Sequence, residues 1–277
     1  MNTFEKKLEE HRSIDSNTAA MLETLVREPR PGSELPSPAR RQESKCAKCG
    51  GHRYGREQWC SECIQANAAE YAATYRAWVL ENREQHLAAA GVQLAFRKCG
   101  LDNFEVRTPE HRRAVDAVKA WAADNSLGLY LYGPPGSGKT HLAVAALLDR
   151  LASRRRGLYV SVHELILEAR ESFRGQGNRS LSAILDECTE TGVLLLDDLG
   201  VEKTTEFARE MFLTLVDRAY AQRRPQVIIT SNIDLAAVGR KLDQRVSDRL
   251  IELCMIVKVG GVSHRRRIAA RRTVGGH

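Results

Sequence analysis

The 277-residue chain has no apolar run near the roughly 20 residues that a membrane-spanning helix requires. Its polar opening, Met1 to Lys7, lacks the form of a secretory signal. Both absences lead us to expect a cytoplasmic protein without a membrane partner. Proline is scarce, and four of the eight residues, Pro29, Pro31, Pro36 and Pro38, crowd into one Ser/Glu/Arg-rich stretch that reads as linker. The seven cysteines are an odd number, and four of them form two Cys-x-x-Cys pairs. That usage suits a reducing compartment and a metal site better than a disulfide framework. Cys99, Cys188 and Cys254 are most simply small apolar core residues. Acidic residues are fewer than basic ones, and the net charge of +7 permits nucleic-acid contact without requiring it.

What is present is length enough for one full α/β domain and a smaller appendage. The stretch that organises the chain is Gly133, Pro134, Pro135, Gly136, Ser137, Gly138, Lys139 and Thr140, which fits G-x-x-x-x-G-K-[ST] at every fixed position. Such a loop curls so that its backbone N–H groups converge on nucleotide phosphates at the positive end of the following helix. Lys139 is expected to reach the β- and γ-phosphates of ATP, and Thr140 to ligate Mg²⁺. Leu127 to Tyr132 reads as a buried strand before the loop, and His141 to Leu148 as a helical run after it. Strand, loop and helix thus stand in the order that a phosphate-binding loop needs.

Upstream, residues 5–27 offer a modest helical face or a partly ordered tail. Cys46, Cys49, Cys60 and Cys63 follow, spaced so that four thiolates would surround zinc tetrahedrally and fold a segment too small for its own core. A redox dithiol is the alternative. His52 is a substitute ligand or an outer neighbour. Arg53, Tyr54, Arg56 and Trp59 would stack on bases or meet a protein surface. Ile64 to about Ala90 reads as a helical connector ended by Gly91, and Pro109 to Ala123 as the first helix of the second domain. The expected organisation is residues 1–45 as helix and flexible linker, 46–63 as zinc module, 64–95 as connector and 96–277 as ATPase domain with a basic tail.

Beyond the loop, residues 157–162 read as a strand and 163–190 as helices broken around Arg174 to Arg179. Residues 192–200 form an apolar strand ending in Asp197 and Asp198. A phosphate-loop ATPase needs one acid to hold Mg²⁺ and another to polarise the attacking water, and we assign Asp197 to the first task and Asp198 to the second. Residues 205–223 carry Phe207, Met211, Leu215 and Ala219 at steps of four, a core-packing helix. Gln226 to Ser231 is another buried strand. Asn232 at its end either orients the lytic water or serves as a turn residue. Residues 255–259 make a plausible fifth strand.

Taken together, these residues resemble the bacterial and phage DnaC/DnaI-type helicase loaders, AAA+ ATPases, over about residues 96–270. The resemblance rests on Gly133 to Thr140 with His141 and Leu142, on Leu194 to Gly200 continuing into Glu202 and Lys203, on Thr230-Ser231-Asn232, and on Arg245 to Leu250. It implies nucleotide contacts from Gly133 through His141, with the lead-in at residues 96–104 against the adenine. Asn232 becomes sensor 1, and Arg249 an arginine finger reaching a neighbour's γ-phosphate. Arg265, in Ser263-His264-Arg265, becomes the sensor 2 candidate beside Arg266 and Arg267, with His264 standing where an aromatic is usual. The Asp197-Asp198 pair, in place of Asp-Glu, is common in helicase loaders and implies slow hydrolysis. A finger supplied in trans makes self-association depend on ATP.

The expected fold is therefore an α/β, mainly parallel five-stranded AAA+ domain preceded by a zinc module. The expected activity is ATP hydrolysis. The expected partners are a hexameric replicative DNA helicase, single-stranded DNA and further copies of the chain. The alternatives are an IstB-type transposition helper ATPase and a zinc-containing nucleic-acid adaptor that barely hydrolyses ATP.

Overall fold

The computed structural model describes residues 43–45, 49, 52–54, 61–124, 127–175, 177–200, 205–222, 225–261 and 263. The chain divides into two compact units, Met1–Trp78 and Val79–His277.

In the first unit β1 (Glu43–Lys45) pairs antiparallel with β2 (His52–Tyr54). Helix α1 (Ser61–Glu81) begins within the second cysteine pair. Along α1, the side chains with described burial up to Trp78 are exposed or half-buried, and Val79 is fully buried. The expected connector helix over 64–90 is two helices, α1 and α2 (Arg83–Ala89), separated at Asn82. Gly91 ends α2 with a φ of 82°, a left-handed conformation that glycine adopts without steric cost.

The second unit is a five-stranded sheet with helices on both faces. Its strands are β3 (Gly128–Tyr132), β4 (Gly157–Ser161), β5 (Val193–Leu199), β6 (Gln226–Ser231) and β7 (Cys254–Lys258). They run parallel in the order β4-β5-β6-β3-β7. Strand β6 lies between β3 and β5, so the segments after all three strands emerge side by side at one sheet edge. The helices are α3 (Pro109–Ala123), α4 (Lys139–Ala152), α5 (Val162–Phe173), α6 (Leu181–Glu190), α7 (Glu206–Gln222), α8 (Leu235–Lys241) and α9 (Gln244–Leu253).

Helix starts follow local chemistry. Thr108, Ser180 and Asp234 each accept a hydrogen bond from the N–H three residues on, and Asp243 accepts from Arg245 N–H. Alternation along the strands sorts the two faces. Tyr130, Leu194, Leu196, Val227 and Ile229 join the core built with α5 to α9. The intervening Leu129, Leu131, Leu195 and Ile228 are fully buried on the opposite face, where α4 packs across the sheet. Helix α4 is buried almost continuously from Leu142 to Leu148, and each fully buried side chain of that size contributes about 1.5–3 kcal/mol. This packing fixes the position of the helix whose first residues are Lys139 and Thr140.

Candidate nucleotide-binding site

The loop between β3 and α4 owes its shape to its glycines. Gly136 and Gly138 have φ values of 78° and 94°, and Gly138 is the N-cap of α4. A Cβ on Gly138 would lie 2.7 Å from the Phe104 ring, and one on Gly136 would meet the Ser263 side chain. Both positions thus need glycine for conformation and for space. The Ser137 hydroxyl is buried without a hydrogen-bond partner among the described residues. A cradle of N–H groups at a helix N-terminus that encloses a polar side chain left unpaired is fitted to an anion such as a nucleotide phosphate.

Lys139 is 5% exposed. Its ammonium donates to the carbonyls of Gly133 and Pro134, each at 3.0 Å, and to Asn232 Oδ1 at 2.8 Å. The lysine of the loop and the residue ending β6 are thereby brought together across 93 positions of sequence. Asn232 is held from both sides. Tyr130 Oη, on β3, donates to Ile233 O at 2.8 Å. Ser231 Oγ donates to Leu199 O and accepts from Ile233 N–H.

The two acids near the end of β5 have different surroundings. Asp197 is 5% exposed. Its Oδ1 accepts from the hydroxyls of Thr140 at 3.0 Å and Thr230 at 2.6 Å, and its Oδ2 from Tyr159 at 2.9 Å. Asp198 is exposed, with a φ of 64°, at an irregularity in the β5–β6 pairing between Leu196 and Leu199. Its N–H donates to Thr230 Oγ1 at 2.9 Å. Thr230 therefore joins both acids, accepting from one and donating to the other. A hydroxyl on Thr140 whose proton is given to Asp197 keeps its lone pairs for Mg²⁺, so this donor set fits a divalent cation beside the phosphates.

Around the start of α4, His141 Nε2 lies 2.9 Å from Gly100 O and 3.0 Å from Asn103 Oδ1, which ties the lead-in to the helix. Phe104 meets the rings of His111 and His141 edge-on, with centroids 5.5 and 5.2 Å away. Sequence reasoning singled out neither Tyr159 nor Thr230 nor His111. Thr230 stood in a quoted motif, but its hydroxyl role depends on which strand lies beside it.

Arg249, on α9, is half-buried, forms an ion pair with Asp217 of α7 and lies 5.4 Å from the centre of the Tyr220 ring. Within one chain it is thus parked on its own domain. Ser263 is described. Arg265, Arg266 and Arg267 lie outside the described residues, as do Cys46 and Cys60. Cys49 is exposed and Cys63 half-buried. Among the described residues no group of three or more His, Cys, Asp or Glu side chains is placed to hold a metal. Burial pushes the thiol of Cys99 up to about 11 and those of Cys188 and Cys254 up to about 12, so all three stay protonated and serve as core residues. No described helix is long and apolar enough to cross a membrane.

Residues 81–272 match the model of a family described as IstB-like ATP binding protein. Curated relatives include the replicative helicase loader DnaC of Buchnera aphidicola subsp. Baizongia pistaciae, 25% identical over 167 residues, covering 59% of this chain and 68% of the relative. The loader of the same name from Escherichia coli is 24% identical over 164 residues, covering 58% of this chain and 66% of the relative. The matched stretch therefore spans about two thirds of each relative's length. Among solved structures, a crystal structure of the DnaC helicase loader superimposes with a TM-score of 0.55 at 24% identity, covering 60% of this chain and 99% of that one. The α/β nucleotide-binding fold and the resemblance to DnaC/DnaI-type proteins are both borne out.

Proposed function

Since the chain belongs to the IstB-like ATP-binding protein family, we propose that it is an ATP-regulated loader of a replicative DNA helicase. The observation that carries the reading is the joining of Lys139 to Asn232 and of Thr140 to Asp197 at one sheet edge, together with relatives named as helicase loaders. A magnesium ion held by Thr140 and Asp197 would supply charge neutralisation at the phosphates. Lys139 holds the β- and γ-phosphates, Thr140 and Asp197 hold the cation, Asp198 polarises the attacking water and Asn232 orients it. The nucleotide's outer phosphate is completed by Arg249 of a second copy, which must leave Asp217 to reach it. Arg265 is the proposed sensor in the basic tail. Hydrolysis then acts as a switch on assembly.

Single-stranded DNA is the second proposed partner, and it would lie along basic residues with bases against exposed aromatics. Phe173, 75% exposed at the end of α5, stands next to Arg174 and 5.6 Å from the Phe207 ring, which suits that role. Zinc held by Cys46, Cys49, Cys60 and Cys63 is the proposed staple of the first unit. The β1–β2 ladder flanks the first pair in sequence, and four thiolates at this spacing would supply order to a segment too short for its own core. This unit is proposed to grip the helicase.

The direct test is loading. The chain, ATP and the replicative helicase of its own cell are mixed with covalently closed single-stranded circles, and helicase retained on the circles after a salt wash is measured. Retention that requires both the chain and ATP is expected. If helicase retention is the same without the chain, the reading is wrong, and a transposition helper becomes the one to pursue.

A further inference from the structure

The acid assigned to the cation is held by a side chain that no motif contains. Tyr159 stands on β4 opposite Leu195 of β5. It therefore shares a sheet face with Leu195 and with Asp197 two residues on. Its hydroxyl, buried, donates to Asp197 Oδ2, while Thr140 and Thr230 both donate to Oδ1. The terminal torsion of an aspartate is soft. Among the described residues Tyr159 is the group that stops the Oδ2 side from turning. Its backbone is fixed as well: Tyr159 N–H donates to Ala90 O at 2.7 Å, and the turn at Gly91 approaches so closely that a Cβ there would lie 3.2 Å from Tyr159 O.

We propose that Tyr159 is a positioning residue for the magnesium site, orienting the Asp197 carboxylate, and that the turn following α2 sets Tyr159 in place. The proposal rests on the nucleotide and Mg²⁺ reading above. Mg²⁺ demands near-ideal octahedral geometry, whereas Ca²⁺ accepts varied ligand arrangements. A carboxylate freed on one side should therefore harm Mg²⁺ more than Ca²⁺.

The experiment titrates a fluorescent ATP analogue into the full chain in EDTA, in Mg²⁺ and in Ca²⁺. For Tyr159→Phe we expect unchanged affinity in EDTA, a loss of about tenfold in the tightening that Mg²⁺ brings, as outer partners of metal ligands commonly give, and a smaller loss with Ca²⁺. In an Asp197→Asn background the same change should have no further effect. Tyr159→His, which keeps a ring donor, should retain the Mg²⁺ response within about threefold, a margin well inside that tenfold loss. Unaltered Mg²⁺ tightening in Tyr159→Phe, an equal loss in EDTA, or a loss that persists in the Asp197→Asn background would each overturn the proposal. A wild-type chain that binds no nucleotide would overturn the parent reading and this one with it. Normal wild-type tightening with an unaffected variant overturns the role of Tyr159 alone.

Discussion

Asp197 and Asp198 are consecutive yet opposite in exposure, and one backbone irregularity separates them. Holding a non-glycine residue at the left-handed φ of Asp198 costs on the order of 1–3 kcal/mol, offset here by its N–H bond to Thr230. One carboxylate thereby stays on the buried cation side while the other faces outward. Phosphate release should accordingly respond differently to the two kinds of variant. Asp198→Asn should bind ATP normally and release phosphate about 100-fold more slowly or worse, the scale of a lost general base. Arg249→Ala should be slow only where copies assemble, because the proposed target lies on another subunit. Unchanged release in both would remove these roles. Lys139 in the glycine-rich loop, and Asp197, Asp198 and Asn232 at the ends of apolar runs, were legible in the sequence because motifs and their order place them. Tyr159 and Thr230 were not, since their hydroxyls acquire meaning only from the register of β4, β5 and β6.

Among the elements, α3 and α4 are joined by a buried cation. Arg150, 1% exposed on α4, stacks 4.0 Å from the Trp121 ring centre. Its guanidinium donates to the carbonyls of Trp121, Ala122 and Asp124 at the end of α3. It thus supplies a second donor to Trp121 O, which also accepts from Asp124 N–H, and partners for the carbonyls of Ala122 and Asp124 at the helix end. Arg150→Met keeps much of the packing and removes all three donors, and should destabilise the domain by about 2–4 kcal/mol, as when buried acceptors lose their partners. Urea unfolding followed by circular dichroism measures this. A change below about 0.5 kcal/mol, the range of ordinary surface substitutions, would contradict it. The order of the sheet domain's strands and long helices could be read from apolar runs and their periods. Helix α8 could not, despite the capping Asp234, because its 7 residues make too few turns to establish a period, and α9 was read as the Arg245 to Leu250 motif rather than as a helix. The split of the connector at Asn82 was equally silent, with helix-forming residues on either side.

For the whole molecule, the chain divides into two compact units. Residues 79–277 hold the buried core and the candidate nucleotide site, and residues 1–78 carry both Cys-x-x-Cys pairs. The proposed division of labour has ATP control assembly through residues 79–277 and a zinc-stapled module within residues 1–78 recognise the partner. Neither the identity of that partner nor the way copies assemble could be read from one sequence, because both depend on surfaces whose complement lies on another chain. The most direct measurement is size-exclusion chromatography with light scattering on the chain mixed with its own cell's hexameric replicative helicase, in ATP, in ADP and after zinc chelation. The account predicts a joint complex in ATP that is lost on chelation. Co-elution under none of these conditions would contradict it.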